Sequence, residues 1–168
     1  MTLPASRGRC PGLRPPVSLM GYRAFCLRNE NRYLQYARAR SLDPGRARGV
    51  VDSLLRVLVD EWPRIITSDR PASEAWKMLV PQVAAAVGEG QRAHGDRRDT
   101  MHRTLEGLEA DVFVLRYRMS LSPVETADLM GLEVPEVTVA LRRGMSALLG
   151  PRELIRCTPA RPTRRQST

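Results

Sequence analysis

Apolar residues recur at helical spacing along most of the chain, and the patterns break at stretches containing proline or glycine. The first pattern covers residues 22–37 and ends at the stretch SLDPG, where Asp43 followed by Pro44 is typical of a helix start. A second pattern runs from Val50 to Trp62, and we expect Pro63 to end that helix.

Two further helical patterns follow in the sequence. A third helix is expected from about Ser73, and Pro81 should kink or split it. A fourth begins at Thr104, with an apolar stripe made of Leu105, Leu108, Val112, Leu115 and Met119. No alternating run of β-branched residues is long enough to require a strand, so the sequence predicts an all-α fold.

One stretch near the C-terminus, LSPVETADLMGLEVPEVTVALRRG, carries the signals of a helix-turn-helix in the right order. Ser122 and Pro123 can begin a short helix, and Glu125 stands at capping-box spacing from Ser122. Gly131 can supply the left-handed residue that ends this helix, and Pro135 can begin the next one. The residues expected to face inward are Val124, Ala127, Leu129, Val137, Leu141 and Leu148, with Leu132 in the turn.

The outer face of the second helix of this motif is the candidate DNA-binding surface. It is expected to carry Glu136, Thr138, Val139, Arg142 and Arg143. Arg142 and Arg143 suit phosphate or guanine, whereas Glu136 could accept a hydrogen bond from a cytosine amino group. Glu133 and Glu136 favour the helix dipole at this end of the helix but oppose phosphate. A structural three-helix unit that binds protein instead of DNA is the alternative.

Composition divides the chain into two small predicted helical domains. A proline-containing arm, residues 1–20, is expected to be disordered and to precede a domain over 21–87. A Gly-rich, charged stretch, residues 88–100, is the predicted flexible linker to a second domain over 101–150. The basic tail, residues 151–168, is expected to be unstructured.

The net charge of +9 favours a polyanionic partner, most commonly nucleic acid, although a basic surface also serves solubility. The charge is unevenly distributed, because residues 21–87 carry 11 basic and 7 acidic side chains. Residues 101–150 carry only 5 basic and 7 acidic side chains. Net charge alone therefore does not identify the helix-turn-helix domain as the main phosphate binder, and the basic tail would add salt-dependent affinity.

Other chemistry finds little support in the sequence. Cys10, Cys26 and Cys157 are too far apart to suggest a zinc site or a disulfide framework. There is no Gly-rich phosphate loop, no H-E-x-x-H and no C-x-x-C, and His94 and His102 lie in or beside the linker. Neither a membrane-spanning run nor a secretory signal is present. We therefore expect a cytoplasmic protein that is not an enzyme and holds no cofactor, metal ion or catalytic residue.

The segment LEADVFVLRYRMSLSPVETADLMGLEVPEVTVALRRGMSALL resembles region 4 of the extracytoplasmic-function sigma factors of RNA polymerase. Arg116 and Tyr117 match the doublet that ends the family's Leu-rich helix. Residues 127–131 stand in place of its small-residue helix, and Val137 with Leu141 in place of its recognition helix. The segments NRYLQYARARSLDPGRARGVVDSLLRVLVDEW and RPASEAWKML resemble region 2 more weakly.

This resemblance implies a transcription factor that binds double-stranded promoter DNA and directs or modulates core RNA polymerase during initiation. It implies that the first domain corresponds to region 2 and the second to region 4. Asp52, Leu55 and Arg56, in the helix after Asp43 and Pro44, would contact polymerase. An anti-sigma or other regulatory protein is a further partner of the kind that this family uses.

The chain departs from the family pattern in its first domain. Arg46, Arg48 and Gly49 occupy places where the family carries acids that dock on polymerase, and Asp52 can instead pair with Arg48 within the helix. The stretch WKMLVPQVAAAV is apolar, with Lys77 its only cation, where the family's promoter-melting helix is polar. One alternative is a degenerate sigma-like adaptor that binds protein without opening promoters. The other is a LuxR-like DNA-binding regulator, which would leave the first domain unexplained.

Overall fold

The protein is helical throughout the part of the chain that the structure describes. The structure is a computed structural model that describes residues 16–94, 100–105 and 107–149. Its helices are α1 (Pro16–Ala39), α2 (Pro44–Ile65), α3 (Pro71–His94), α4 (Thr100–Thr104), α5 (Gly107–Phe113), α6 (Pro123–Met130) and α7 (Val134–Leu149), with a π-helical turn over Val114–Arg118. These ranges contain no strand, which confirms the all-α prediction. No helix among them is both long and apolar enough to span a bilayer.

Helices α1 to α3 pack side by side, with α2 between its two sequence neighbours. Asp43 caps α2 as predicted, because its carboxylate accepts the backbone N–H of Arg46 at 3.0 Å. The apolar stripe of α2, which includes Leu54 and Leu58, is fully buried. Trp62 lies at the end of this stripe and meets the Tyr22 ring of α1 edge-on, at a centroid distance of 5.7 Å. The helical pattern predicted from Val50 to Trp62 therefore includes residues of the packed face of α2.

Two prolines do not have the effect predicted from the sequence. Pro63 does not end α2, which continues to Ile65, because the fully buried Ile65 side chain holds the last turn against the core. Pro81 does not split α3, which is one helix from Pro71 to His94. Pro81 lies on the exposed side of α3, where the carbonyl group that lacks an N–H partner can bond to water. Tertiary packing overrides the local preference of proline in both helices.

Three predicted boundaries also differ from the structure. Helix α1 begins at Pro16, within the arm predicted to be disordered, since proline fits the first turn of a helix. Residues 88–94 of the predicted linker continue α3. The rest of that linker up to residue 99, the arm before residue 16 and the tail after residue 149 lie outside the described residues. The helix predicted from Thr104 begins instead at Gly107, whose φ of 53° interrupts the helical path.

The apolar core runs without interruption from helices α1–α3 into the helices that follow. One cluster of buried side chains includes Tyr33 and Leu79 of the first three helices together with Leu115, Leu129 and Val137 of the later elements. Helix α3 packs on α6, and α1 packs on the π-helical turn. The helix-turn-helix candidate is thus held against the first three helices by a shared core.

Candidate nucleic-acid interface

Helix α6 begins and ends at the residues that the sequence predicts. The Ser122 hydroxyl accepts the Glu125 N–H at 3.1 Å, and the Glu125 carboxylate accepts the Ser122 N–H at 2.9 Å. This reciprocal capping box holds the pKa of Glu125 below its usual range, chiefly through the hydrogen bond from the Ser122 backbone. Gly131 ends the helix with a φ of 65° and a ψ of 37°. The predicted cap residues are therefore confirmed, and α6 and α7 are the two helices of the candidate helix-turn-helix.

Gly131 has a second role, because the turn that it forms lies directly against the first turn of α3. A Cβ atom at this position would lie only 2.1 Å from the backbone nitrogen of Ser73. No residue with a side chain fits there without a shift of the backbone. The contact fixes the start of α3 next to the start of α7, although Ser73 and Gly131 are 58 positions apart in the sequence.

Helix α7 presents the predicted DNA-binding residues to solvent. Thr138, Val139, Arg142 and Arg143 are all exposed. They form two pairs spaced four residues apart, so they share one side of the helix. The Thr138 hydroxyl donates to the Val134 carbonyl at 3.0 Å and keeps its lone pairs for an outside donor. Within the described part of the chain, Arg142 and Arg143 form no ion pair. Their guanidinium groups are available to an external anion.

Glu136, the fifth predicted DNA-binding residue, is already engaged within the protein. Its carboxylate accepts the Glu133 N–H at 2.6 Å and a guanidinium N–H of Arg70 at 2.9 Å. The Glu133 hydrogen bond is the main reason that the pKa of Glu136 lies below its usual range, and Arg70 adds to the effect. Glu136 serves α7 as the acidic partner of its N-cap, so it is less suited to accept from a cytosine amino group.

Arg70 is the residue that sequence reasoning missed at this site. It precedes α3, and its guanidinium lies 2.9 Å from the Glu136 carboxylate and 3.9 Å from that of Glu133. Arg70 and Glu136 are 66 positions apart in the sequence, so no local pattern could have paired them. A search for basic residues beside the acidic start of α7 could find Arg70 only once the packing of α3 on α6 is known.

Arginines of α1 bind the outer acids of α6 in the same way. Arg28 lies 2.9 Å from Asp128, and Arg32 lies 2.9 Å from Glu125. Exposed pairs of this kind contribute little stability, about 0–1 kcal/mol each. In both ion pairs the arginine lies on α1 and the acid on α6, and this arrangement of charge favours one orientation of α6 over others.

A buried polar cluster joins the two halves more firmly. Asp111 of α5 accepts a hydrogen bond from the Tyr36 hydroxyl of α1 and lies 2.7 Å from His102 Nε2. Arg40 donates to the Tyr36 hydroxyl at 3.0 Å and lies 3.7 Å from the Asp111 carboxylate. Burial, followed by the Asp111 charge, raises the pKa of Tyr36, so its hydroxyl remains protonated as the donor. Nearby, the Arg118 guanidinium donates to the Ala39 carbonyl at the end of α1.

The residues predicted to contact polymerase lie on α2, away from the α7 face. Asp52 pairs with Arg48 at 3.0 Å, which confirms the predicted pairing within the helix. Arg56 is exposed and donates to the Asp52 carbonyl at 3.3 Å, while Leu55 is half-buried. Helix α2 packs mainly on α1 and α3, whereas α7 packs mainly on α5 and α6. The structure does not bring the two predicted sets of site residues together.

Two residues predicted to face inward in the helix-turn-helix do not. Val124, in the first turn of α6, is exposed, although Ala127 one turn later is buried. Leu148 lies on the same side of α7 as Val137, but it is exposed because the buried stripe of α7, Val137, Ala140 and Gly144, ends one turn before it. A Cβ atom at Gly144 would lie 2.5 Å from the Phe113 ring, so α5 and α7 approach closely at this point.

The described residues contain no cluster of three or more His, Cys, Asp or Glu side chains that could hold a metal ion. Comparisons with protein-family models, with curated proteins and with solved structures find no significant match to this chain. Any account of its function therefore rests on the arrangement of its own residues, above all on the exposed basic face of α7.

Proposed function

We propose that this chain is a cytoplasmic, sigma-like transcription factor whose α7 binds duplex promoter DNA and which directs or modulates RNA polymerase in transcription initiation. Helices α1–α3 would then act as a region 2-like unit and residues 101–150 as a region 4-like unit. One observation carries the proposal: a capped helix-turn-helix exposes Thr138, Val139, Arg142 and Arg143 on one side of its second helix.

The dimensions and chemistry of that helix suit a DNA groove. With 16 residues, α7 is about 24 Å long, and the major groove of B-DNA admits a helix of this diameter. Arg142 and Arg143 can each bind a phosphate oxygen or the edge of guanine, and Val139 can contact a thymine methyl group. Because the Thr138 hydroxyl donates to Val134, its lone pairs can accept a hydrogen bond from a base. The face thus combines positioning and base-contacting groups.

The first test measures DNA binding by fluorescence anisotropy with a pool of labelled 30-base-pair duplexes of random sequence. The Arg142→Ala, Arg143→Ala double variant should bind at least about tenfold more weakly than the wild type. The slope of log K against log salt should fall in magnitude by about 1–2, since two phosphate contacts are lost. Selection from the same pool would then identify any preferred sequence.

The matched control is the Arg23→Ala, Arg38→Ala double variant, which removes the same charge from exposed positions on α1. It should change the affinity and the salt slope much less than the α7 variant does. Equal losses from both variants would show that only the net charge of the protein attracts DNA. An unchanged affinity in the α7 variant would exclude α7 as the DNA-binding helix.

The second test concerns polymerase. Size-exclusion chromatography of the purified protein with core RNA polymerase should give a common peak, and triple substitution of Asp52, Leu55 and Arg56 by alanine should weaken it. Absence of co-elution would exclude a sigma-like role. In vitro transcription from a selected duplex then shows whether the complex initiates.

A protein-binding adaptor that does not open promoters is the second candidate, and α3 supports it. Trp76 is buried against Tyr33 and Tyr36, so its ring is not available to stack on an unpaired base. Between residues 71 and 90, the only basic side chain is Lys77, which pairs with Glu74 at 3.0 Å. Co-elution with polymerase without initiation from any selected duplex would favour this candidate.

A further inference from the structure

The start of α7 carries an acidic surface that would oppose DNA if it stood alone. Glu133 and Glu136 both lie at this end, and the lowered pKa of Glu136 keeps its carboxylate ionised at neutral pH. In helix-turn-helix complexes, the residues at the start of the second helix come closest to the base edges. Two carboxylates at that place would repel the flanking phosphates. The proposed function therefore needs something that offsets their charge.

Arg70 supplies a positive charge at this place from outside the helix-turn-helix. Its guanidinium donates to Glu136 at 2.9 Å and also approaches Glu133 at 3.9 Å. A guanidinium has five N–H donors, so these contacts leave donors free for a phosphate oxygen. The front of α7 thus has one guanidinium between two carboxylates, where the helix-turn-helix sequence alone provides only the carboxylates.

The position of Arg70 relative to α7 is fixed by packing. Arg70 directly precedes α3, and the close approach of Ser73 to Gly131 holds the start of α3 against the turn before α7. The shared core and the buried Tyr36–Asp111 hydrogen bond prevent the two halves from separating without loss of burial. Arg70 would therefore accompany α7 to the DNA.

The first three helices do not cover the front of α7. Glu133, Val134, Pro135 and Glu136 are all exposed. The Arg70 and Glu136 side chains are themselves 47% and 44% exposed, so their ion pair lies at the surface. A duplex can reach this end of α7 while Arg70 stays in place. This exposure favours a shared DNA-facing surface over a contact that blocks DNA.

We propose that Arg70 is a positioning residue of the DNA-binding surface, which offsets the charges of Glu133 and Glu136 and offers a guanidinium to the phosphate backbone beside α7. This inference rests on the proposed DNA binding by α7. It assigns to the first three helices a direct part in duplex recognition, through a residue outside the helix-turn-helix.

The test compares Arg70→Gln with Arg23→Gln, in the anisotropy assay with the random 30-base-pair duplex pool. Both variants lose one positive charge from an exposed side chain, but Arg23 lies on α1 and has no proposed binding role. Arg70→Gln should weaken binding by about tenfold and lower the magnitude of the salt slope by about 1, whereas Arg23→Gln should do much less. Arg70→Lys should retain most of the affinity, because it keeps the charge.

A rescue experiment separates charge compensation from a merely structural role. Adding Glu133→Gln and Glu136→Gln to Arg70→Gln removes the repulsion and should restore most of the lost affinity. Glutamine can still accept the Glu133 backbone N–H, so the start of α7 is preserved. Circular dichroism melting of each variant checks folding, and an exposed pair of this kind should change stability by no more than about 1 kcal/mol.

Each other outcome has a distinct meaning. Equal affinities for Arg70→Gln and Arg23→Gln would overturn the inference but leave the proposed function intact, provided that the Arg142 and Arg143 variant still loses affinity. Tighter binding by Arg70→Gln would also overturn the inference, since it would show that this contact competes with DNA. Failure of the wild-type protein to bind the duplex pool would overturn the proposed function together with the inference.

Discussion

Replacement of Asp111 by alanine should destabilise the protein far more than replacement of Asp128, although each carboxylate joins the C-terminal helices to α1. The side chains of Asp111 and Arg40 are each only 5% exposed, whereas those of Asp128 and its partner Arg28 are 50% and 68% exposed. Removal of one member of a buried pair costs about 3–5 kcal/mol, because the remaining charge stays buried with less compensation. Removal of one member of an exposed pair costs about 0–1 kcal/mol.

The loss at Asp111 also has a hydrogen-bond component. The carboxylate accepts from the Tyr36 hydroxyl and contacts His102, so Asp111→Ala removes the acceptor of a buried donor. Such a loss costs about 1–3 kcal/mol, part of which is already included in the cost of breaking the ion pair. Asp111→Asn keeps an acceptor oxygen but loses the charge, so its effect should lie between those of Asp111→Ala and Asp128→Ala.

Urea unfolding, followed by far-ultraviolet circular dichroism at neutral pH, measures these differences. We expect the midpoint to fall strongly for Asp111→Ala, moderately for Asp111→Asn and little for Asp128→Ala, with a similar m-value in each. An Asp111→Ala variant that is as stable as Asp128→Ala would refute the reasoning, because the buried cluster would then contribute no more than a surface pair.

Three further predictions concern the helix-turn-helix. Gly131→Ala should lower the free energy of unfolding by more than about 2 kcal/mol in urea, since the alanine would be strained at a positive φ and would also overlap Ser73. Gly49→Ala should instead raise it by about 0.5–1 kcal/mol, because nothing lies within 4 Å of the added atom in α2. Equal changes in stability for Gly131→Ala and Gly49→Ala would contradict the close approach of Gly131 to Ser73. Ser122→Ala should cost about 1 kcal/mol through loss of the cap, and no change would show that the cap is not formed. The pKa of Glu125 is lowered from 4.5, so the stability that its charge contributes is present above that pH and is lost as the pH falls through the folded-state pKa. The difference in unfolding free energy between the wild type and Glu125→Gln should therefore shrink in acid. A difference that stays constant with pH would contradict this.

The sequence predicts those features of the fold that depend on a few neighbouring residues. The Asp43 cap and the Ser122 capping box each join groups three residues apart, and Gly131 ends α6 through its own backbone angle. These features form wherever the local sequence allows them. They needed no knowledge of what α2 or α6 would pack against, and each is found where it was predicted.

The predictions fail where packing decides the outcome. Pro63 and Pro81 weaken a helix locally, but buried residues beyond each proline hold the chain in helical form. The helical spacing places Leu148 on the packed side of α7, but no neighbouring helix covers that side beyond Gly144, so Leu148 is exposed. Both kinds of error come from contacts between helices, which periodicity within one helix does not contain.

Net charge was the least informative measure of the candidate site, and the structure explains why. The acidic surplus of residues 101–150 weighed against phosphate binding by that segment. Yet Glu125, Asp128 and Glu136 each pair with an arginine of the N-terminal half, so their charges are largely offset within the protein. Arg142 and Arg143 keep their charge for an external anion. Because phosphate responds to the charge within about one Debye length, roughly 8–10 Å, the pairing of individual side chains decides whether α7 attracts DNA. The distribution of ion pairs between the two halves therefore makes an acidic segment compatible with the proposed binding of DNA by α7.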